Sequence, residues 1–380
     1  MTTSAPQLVS WTEAGRHRTA RWRSASGSTP PAAVVAVDDG ITADKAYRLA
    51  TKGVAMLWRG DFPNARQLLR ALARRVPAST TATFHSHRQA QARRARVLAM
   101  VLVLLDSDHM SDLRRAPDTR QACTEVYGPA DAPSVVSLRE LLGVIGAHEW
   151  RRTGILVPEL DARIRPHYGV FSPVRGEYVR LVAEAPLPSR ALAFDIGTGT
   201  GVLAAVLARR GVERVVATDQ DPRAVTCARE NLAALGLGDR TEVQQVDLFP
   251  RGRAPLVVCN PPWIPARPTS PLERAVYDPG SRMLHGFLDR LGRHLTPGGE
   301  GWLVLSDLAE HFGLRTRDEL MAAVGRAGLE VVGRSEVRPG HGRATDSNDP
   351  LHAARRAEVT SLWRVRVTPS TQRRPITGRP

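Results

Sequence analysis

From Arg190 onward the chain repeats one grammar: a short apolar run, a turn bearing glycine or an acid, then an amphipathic helix. The apolar runs fall at 191–196, 214–218, 242–246, 256–259, 302–306, 330–333 and 362–367. Strands that alternate with helices need crossover connections, so this half predicts a mostly parallel sheet flanked by helices. The helices carry their own punctuation. Asp221-Pro222 supplies a cap and a first-turn proline, Val225, Ala228, Leu232 and Leu235 form one stripe, and Gly236 ends the run.

A chain of 380 residues exceeds the size at which one core stops growing, so a second domain is expected upstream. Residues 1–38, rich in Ser, Ala and Arg around the early acid Glu13, read as a disordered tail. Residues 39–160 read as a mainly helical domain. Thr42 can cap a helix in which Tyr47, Leu49, Ala50, Val54, Met56 and Leu57 recur at helical spacing, and a second helix follows at 64–75. Residues 86–105 begin with Arg88, Arg93, Arg94 and Arg96 and end apolar, which suits either a substrate-docking face or a solvated helix surface. Loops with one short helix are expected at 106–133, a helix at 137–150, a strand running into a turn at 170–173, and a helix at 177–185. The catalytic domain is placed at 161–368, a second disordered tail at 369–380, and a mobile loop, a candidate lid, at 338–352.

Three stretches carry chemistry. Phe194-Asp195-Ile196-Gly197-Thr198-Gly199-Thr200-Gly201 places a buried strand against a glycine-rich turn that lets a ligand approach the backbone. Gly199-x-Gly201-x-x-Ala204, with Asp219 downstream, also satisfies a relaxed dinucleotide fingerprint, so a nicotinamide or flavin oxidoreductase is one reading. Asp195 directly before the turn and the continuous Gly197-x-Gly199-x-Gly201 register favour S-adenosylmethionine instead. Asp219, ending the second strand, suits the two ribose hydroxyls, and Gln220 can pack on an adenine. Asp247-Leu248-Phe249 offers a carboxylate to the adenine amino group and an apolar side chain to its ring.

The fourth strand ends in Asn260-Pro261-Pro262-Trp263. An amide or exocyclic amino nitrogen is a poor nucleophile while its lone pair is delocalised. The Asn260 side-chain oxygen and the Pro261 carbonyl can each accept an N–H bond from such a nitrogen and favour a pyramidal transition state. The prolines stiffen the turn, and Trp263 offers a flat face for a base or planar amide. These four residues are the catalytic candidates. Asp195, Gly197, Gly199, Gly201, Asp219, Gln220, Asp247 and Leu248 are the cofactor-binding candidates.

On these motifs the stretch from about 165 to 367 resembles the class I amino-methyltransferases with an Asn-Pro-Pro-aromatic motif. It is most similar to the HemK-like glutamine methyltransferases of release factors and ribosomal proteins and to the related small-domain rRNA enzymes. The resemblance implies a Rossmann-like seven-stranded sheet, mostly parallel with an antiparallel last strand, S-adenosyl-L-methionine as cofactor, and a macromolecular acceptor: a protein glutamine or a base in RNA or DNA. Tyr277-Asp278-Pro279-Gly280 and Leu295-Thr296-Pro297-Gly298-Gly299 stand where that group has its segment after the motif and its following turn. Two positions depart from the HemK-like pattern: Trp263 replaces a tyrosine, and Ser172-Pro173-Val174-Arg175-Gly176-Glu177 replaces Pro-Arg-x-Glu-Thr.

A small planar metabolite is the alternative acceptor, and a non-catalytic cofactor-binding module is the alternative of another class. The net charge of +15 points toward polyanions, yet nearly all of it is arginine, with lysine only at Lys45 and Lys52, as a G+C-rich coding sequence would also produce. Cys123, Cys227 and Cys259 are odd in number and far apart, which suggests neither disulfides nor a metal cluster and fits a cytoplasmic protein. Cys259 belongs to an apolar strand and reads as a small hydrophobe. His85, His87 and His109 lack companion acids or thiols and read as surface residues, so no metal is expected. His167-Tyr168 is a candidate for lining the substrate cleft. The apolar run 97–105 is about half a bilayer crossing, and neither membrane association nor a secretory signal is expected.

Overall fold

The computed structural model describes residues 7–77, 83–268, 272–338, 340 and 349–369. The chain divides into two compact units, Met1–Glu149 and Trp150–Pro380, which moves the expected boundary upstream by about ten residues.

The first unit is a closed six-stranded barrel with helices, not a mainly helical domain. Its elements are β1 (Leu8–Glu13), β2 (Arg16–Trp22), β3 (Ala33–Val37), α1 (Ala43–Thr51), β4 (Val54–Trp58), α2 (Phe62–Arg75), α3 (Phe84–Ala99), β5 (Val101–Leu105), α4 (Arg120–Tyr127), β6 (Ser134–Ser137) and α5 (Leu138–Thr153), in barrel order β1-β2-β6-β5-β4-β3. Three strands lie within the expected disordered tail. β1 and β2 form a hairpin whose two-residue turn, Ala14-Gly15, has both φ values positive, the geometry that matches strand twist. Val9, Trp11 and Ala20 from this hairpin join Ala55, Leu57, Leu102 and Val135 in the barrel core. Two expected helices give way to strands for one reason. A run of five apolar residues flanked on both sides by burial has no period to distinguish the two forms. α1 therefore stops at Thr51 before Gly53, which takes positive φ, and Val54–Trp58 becomes β4. Likewise α3 ends at Ala99, and Val101–Leu105 is β5.

The second unit starts with a small hairpin, β7 (Ile155–Val157) and β8 (Ala162–Ile164), and α6 (Glu177–Glu184). It continues with β9 (Leu192–Ile196), α7 (Val202–Arg209), β10 (Arg214–Asp219), α8 (Pro222–Ala234), β11 (Thr241–Gln245), β12 (Ala254–Cys259), α9 (Arg282–His294), β13 (Leu295–Ser306), α10 (Leu308–His311), α11 (Arg317–Arg326), β14 (Leu329–Val337), α12 (His352–Ala357) and β15 (Thr360–Val367). All seven sheet strands expected from the sequence are present. They run in the order β11-β10-β9-β12-β13-β15-β14, and β15 is antiparallel to both its neighbours. The expected strand at 170–173 is instead a loop whose Val170 packs on Ala224 and Cys227 of α8.

Alternate residues of the central strands feed opposite cores, as a sheet covered on both faces requires. Ala193, Val258 and Trp302 pack with α6 and α7, while Phe194, Ile196, Val257 and Leu303 pack with α9 and α11. Trp302 is fully buried, and its truncation to alanine would cost about 3–5 kcal/mol. The strand order reverses between β9 and β12, so their C-terminal ends open the crevice where folds of this kind hold ligands. Most of the expected 338–352 loop, and all of the expected C-terminal tail but Pro369, lie outside the described residues. No helix among those residues is long and apolar enough to cross a membrane.

Candidate active site

The glycine turn joins β9 to α7 and is pinned from below: the Gly197 and Thr198 amides both donate to the Thr218 carbonyl, at 2.9 and 2.8 Å. Asp195, 1% exposed, faces into this turn, its Oδ2 accepting from Thr198 Oγ1 at 2.7 Å and from the Ala204 amide at 3.1 Å. Burial pushes its carboxyl up to about 6 against those two hydrogen bonds, and the nearby Asp219 charge adds to the rise. Two of the turn's glycines differ in what surrounds them, although both have positive φ. A Cβ on Gly201 would press on the Ala228 backbone of α8, whereas one on Gly199 would meet nothing within 4 Å.

Asp219 ends β10 with both oxygens occupied by backbone amides, Oδ2 by Gly199 at 3.1 Å and Oδ1 by Asp221 at 2.9 Å. Burial raises its pKa. Helix capping falls to Asp221, whose Oδ1 accepts from the Arg223 amide at 2.9 Å. Gln220 beside it is exposed. Asp247, 75% exposed, stands 3.7 Å from Arg290 of α9. Leu248 takes a positive φ of 63° and its carbonyl accepts from Thr218 Oγ1, which fixes the bend after β11. Phe249 is committed elsewhere, lying parallel to His294 at 4.3 Å and Phe287 at 5.7 Å.

β12 lies beside β9 with Cys259 level with Ile196, so Asn260 and Gly197 begin adjacent turns on either side of the crevice. Within the corner the Trp263 indole Nε1 donates to Asn260 Oδ1 at 2.9 Å. An indole N–H can only donate, so this contact sets which end of the Asn260 amide is oxygen. Trp263 is half-buried and packs against both cores of the sheet, so it braces the corner. The chain then returns: Ile264 pairs with Tyr277, and Asp278 Oδ2 accepts from the Met283 amide at 2.6 Å. Met283 reaches back over the glycine turn so closely that a Cβ on Gly197 would collide with its Cε.

Residues 162–324 match the family described as the methyltransferase small domain. The match lies wholly within the C-terminal unit and covers less than half of the chain. Among similar curated proteins is a release factor glutamine methyltransferase of Cereibacter sphaeroides, 37% identical over 130 residues, covering 33% of this chain and 43% of that protein. A ribosomal protein L11 methyltransferase of Chelativorans sp. is 32% identical over 173 residues, 44% of this chain and 54% of the relative. A tRNA1(Val) (adenine(37)-N6)-methyltransferase of Vibrio parahaemolyticus is 39% identical over 95 residues, 24% of this chain and 40% of the relative. The chain thus spans about half or less of the length of these relatives. A ribosomal protein L11 methylase structure from Lactobacillus delbrueckii subsp. bulgaricus overlays 50% of this chain and 77% of its own, at 20% identity and a TM-score of 0.35, too loose an overlay to argue from.

Several residues that shape the crevice carry no motif. Asn231 of α8, 3% exposed, donates to the Thr200 carbonyl within the glycine turn at 3.0 Å and exchanges bonds with the Arg165 backbone, tying the entry segment to the turn. Met283 and Asp278 tie the start of α9 to the same turn. At the end of β13, Ser306 Oγ donates at 2.7 Å to the buried Glu358, which also meets Arg175 at 3.3 Å. His167 pairs with Glu230 at 2.9 Å, alongside Arg151, on the flank of α8 rather than at the Asn260 corner. His85 is exposed, while His109, expected at the surface, is buried with Nε2 against the Gly128 carbonyl at 2.9 Å. No group of three or more His, Cys, Asp or Glu converges among the described residues. Burial raises the thiols of Cys123 and Cys227 to about 12 and that of Cys259 well above its ordinary value, so none is a ready nucleophile.

Proposed function

We propose that this protein methylates an sp2 nitrogen, amide or exocyclic amine, on a macromolecule: a protein glutamine or a base in RNA or DNA. The observation that carries this is the Asn260-Pro261-Pro262-Trp263 corner leaving β12 directly beside the glycine turn that leaves β9. The names of the relatives support the acceptor class, since they act on release-factor glutamine, a ribosomal protein and a tRNA adenine.

The crevice suits a nucleoside with a cationic tail. Gly199 leaves open space above the turn, and the backbone-held Asp219 carboxylate stands beside it with lone pairs to spare for hydroxyls. Asp195, Gly197, Gly199, Gly201, Asp219, Gln220, Asp247 and Leu248 would hold the cofactor. When bound, S-adenosylmethionine supplies a methyl group activated by its sulfonium.

The chain's own residues then position the acceptor. Asn260 Oδ1 spends one lone pair on the Trp263 indole and keeps the other for an N–H of the incoming nitrogen. The Pro261 carbonyl accepts the second N–H. Held by two fixed acceptors, the nitrogen loses planarity and its lone pair becomes available, and its proton leaves to water afterwards, so no side-chain base is required. Trp263 and the prolines keep both acceptors in place. The unpaired, buried thiols accord with a reaction in the cytoplasm.

The test is incubation of the protein with methyl-labelled cofactor and cell extract, with the product divided by RNase and by protease. Label should enter one polymer, and Asn260→Ala should lower the rate about 100-fold or more while S-adenosylhomocysteine still binds. Full activity in Asn260→Ala would end this mechanism. Tight binding of NAD with no binding of S-adenosylhomocysteine would end the cofactor assignment.

A further inference from the structure

From Phe62 to Leu105 the chain carries eight arginines and not one aspartate or glutamate. At the overall frequency of 38 acids in 380 residues, about four would be expected in a stretch of that length. Codon bias toward arginine does not remove acids, so composition alone leaves this gap unexplained. The stretch includes α2 and α3, which pack side by side in the barrel unit.

On α2, Arg66, Arg70 and Arg74 recur every four residues and all three are exposed. They form one stripe with a guanidinium about every 6 Å along the axis. Like charges one turn apart repel, and no acid on either helix relieves them. Arg75 pairs with Asp44 across to α1, but Arg66, Arg70 and Arg74, together with the exposed Arg93, Arg94 and Arg96 of α3, make no ion pair or hydrogen bond among the described residues.

We propose that the α2–α3 surface docks the phosphodiester backbone of a structured RNA. Guanidinium groups bind phosphate oxygens in pairs, and two adjacent helices whose charged residues are all arginine, with the neighbouring Asp44 carboxylate taken up by Arg75, suit a phosphate ladder. The other polyanionic partners fit less well. A lipid surface calls for apolar residues beside the cations, and no large exposed hydrophobic residue of this protein lies on α2 or α3. An acidic peptide adding a strand would need a free sheet edge, and the barrel is closed. The choice of RNA rests on the reading that the methyl acceptor is an sp2 nitrogen. A structured RNA carries duplex phosphates and unpaired bases on one molecule, whereas the amino groups of duplex DNA are stacked and paired.

The test uses the full chain and a fluorescein-labelled 20-nucleotide RNA hairpin, with anisotropy followed from 50 to 200 mM salt. Wild type should bind with a steep salt dependence. The triple variant R66Q/R70Q/R74Q should flatten the slope of log K against log salt by about two to three, so that wild type loses about 40-fold more affinity than the variant across that range. Glutamine keeps the helix propensity, so the melting temperature and S-adenosylhomocysteine affinity should stay unchanged and exclude a folding defect. An unchanged slope overturns the proposal. So does polyglutamate, or a DNA hairpin of equal length, displacing the RNA as well as unlabelled RNA does. These outcomes are separate from the fate of the methyl-transfer reading, which stands or falls with Asn260→Ala in extract labelling whether or not RNA docks on the arginines.

Discussion

Replacing Asp195 with asparagine tests how the glycine turn is held. The carboxyl is buried, and its pKa is pushed from an ordinary 3.8 up to about 6. At 1.36 kcal/mol per pKa unit, ionising it in the folded state costs about 3 kcal/mol. The native state holds its proton more tightly than the unfolded chain does. The contribution is therefore fully present below the ordinary value and is lost as pH rises through about 6. Between pH 5 and pH 7.5 roughly 1.4 kcal/mol of it disappears, equivalent to about 3–6 °C in the melting of a domain this size. In Asp195→Asn the new amide oxygen can take the place of the carboxylate Oδ2 and keep both the Thr198 and Ala204 donors while carrying no charge. Thermal unfolding of the ligand-free protein at the two pH values should therefore show the variant gaining about 3–6 °C on wild type as pH rises. A melting difference that stays constant across this interval would refute the account of Asp195 as a buried acid that ionises at a cost to the fold.

Two further substitutions separate stability from binding at the same turn. Gly201→Ala should lower the melting temperature by roughly 2–8 °C, because positive φ costs an alanine about 1–2 kcal/mol and its Cβ meets the Ala228 backbone. Gly199→Ala should melt nearer to wild type but lose S-adenosylhomocysteine affinity in calorimetry, since its Cβ enters the open space assigned to the ligand; equal affinity would remove Gly199 from the cofactor site. Trp263→Phe keeps a ring against both cores but removes the donor to Asn260, and should reduce kcat about 2- to 12-fold with cofactor affinity unchanged. A kcat equal to wild type would show that the indole bond does not position the amide.

What the sequence made legible follows from how each element is buried. The seven strands of the second unit are covered on both faces and so appear as apolar runs between glycine, proline and acid signals. Asn260 and the glycine turn could be placed because both sit where such strands end. The barrel was hidden because β2 is arginine-rich and largely exposed, and because its hairpin turn places an alanine, Ala14, at positive φ. Side-chain commitments were equally invisible. Asp195, Asp219 and Asp247 all look like acids at the end of a strand, yet the first is sealed inside the turn, the second is held by two amides and the third stands in solvent beside Arg290. Nor does any spacing rule connect Asn231 or Met283 to a turn more than 30 residues upstream of either.

The two carboxyls in the crevice suggest why its acids are placed as they are. Asp195 and Asp219 are both raised chiefly by burial, and the Asp219 charge also raises Asp195. Such a pair resists ionisation until a cation arrives to share the field. A ligand with an ammonium group at this end of the crevice should therefore expel a proton as it binds. At pH 6, where Asp195 is about half protonated, as much as half a proton should leave per bound S-adenosylhomocysteine. Titration calorimetry in two buffers of different ionisation heat measures that number directly. The release should shrink toward pH 7.5 and vanish in Asp195→Asn. Binding heats that are the same in both buffers at pH 6 would place the ligand's cation away from Asp195, and the glycine turn would then owe its acid to folding alone.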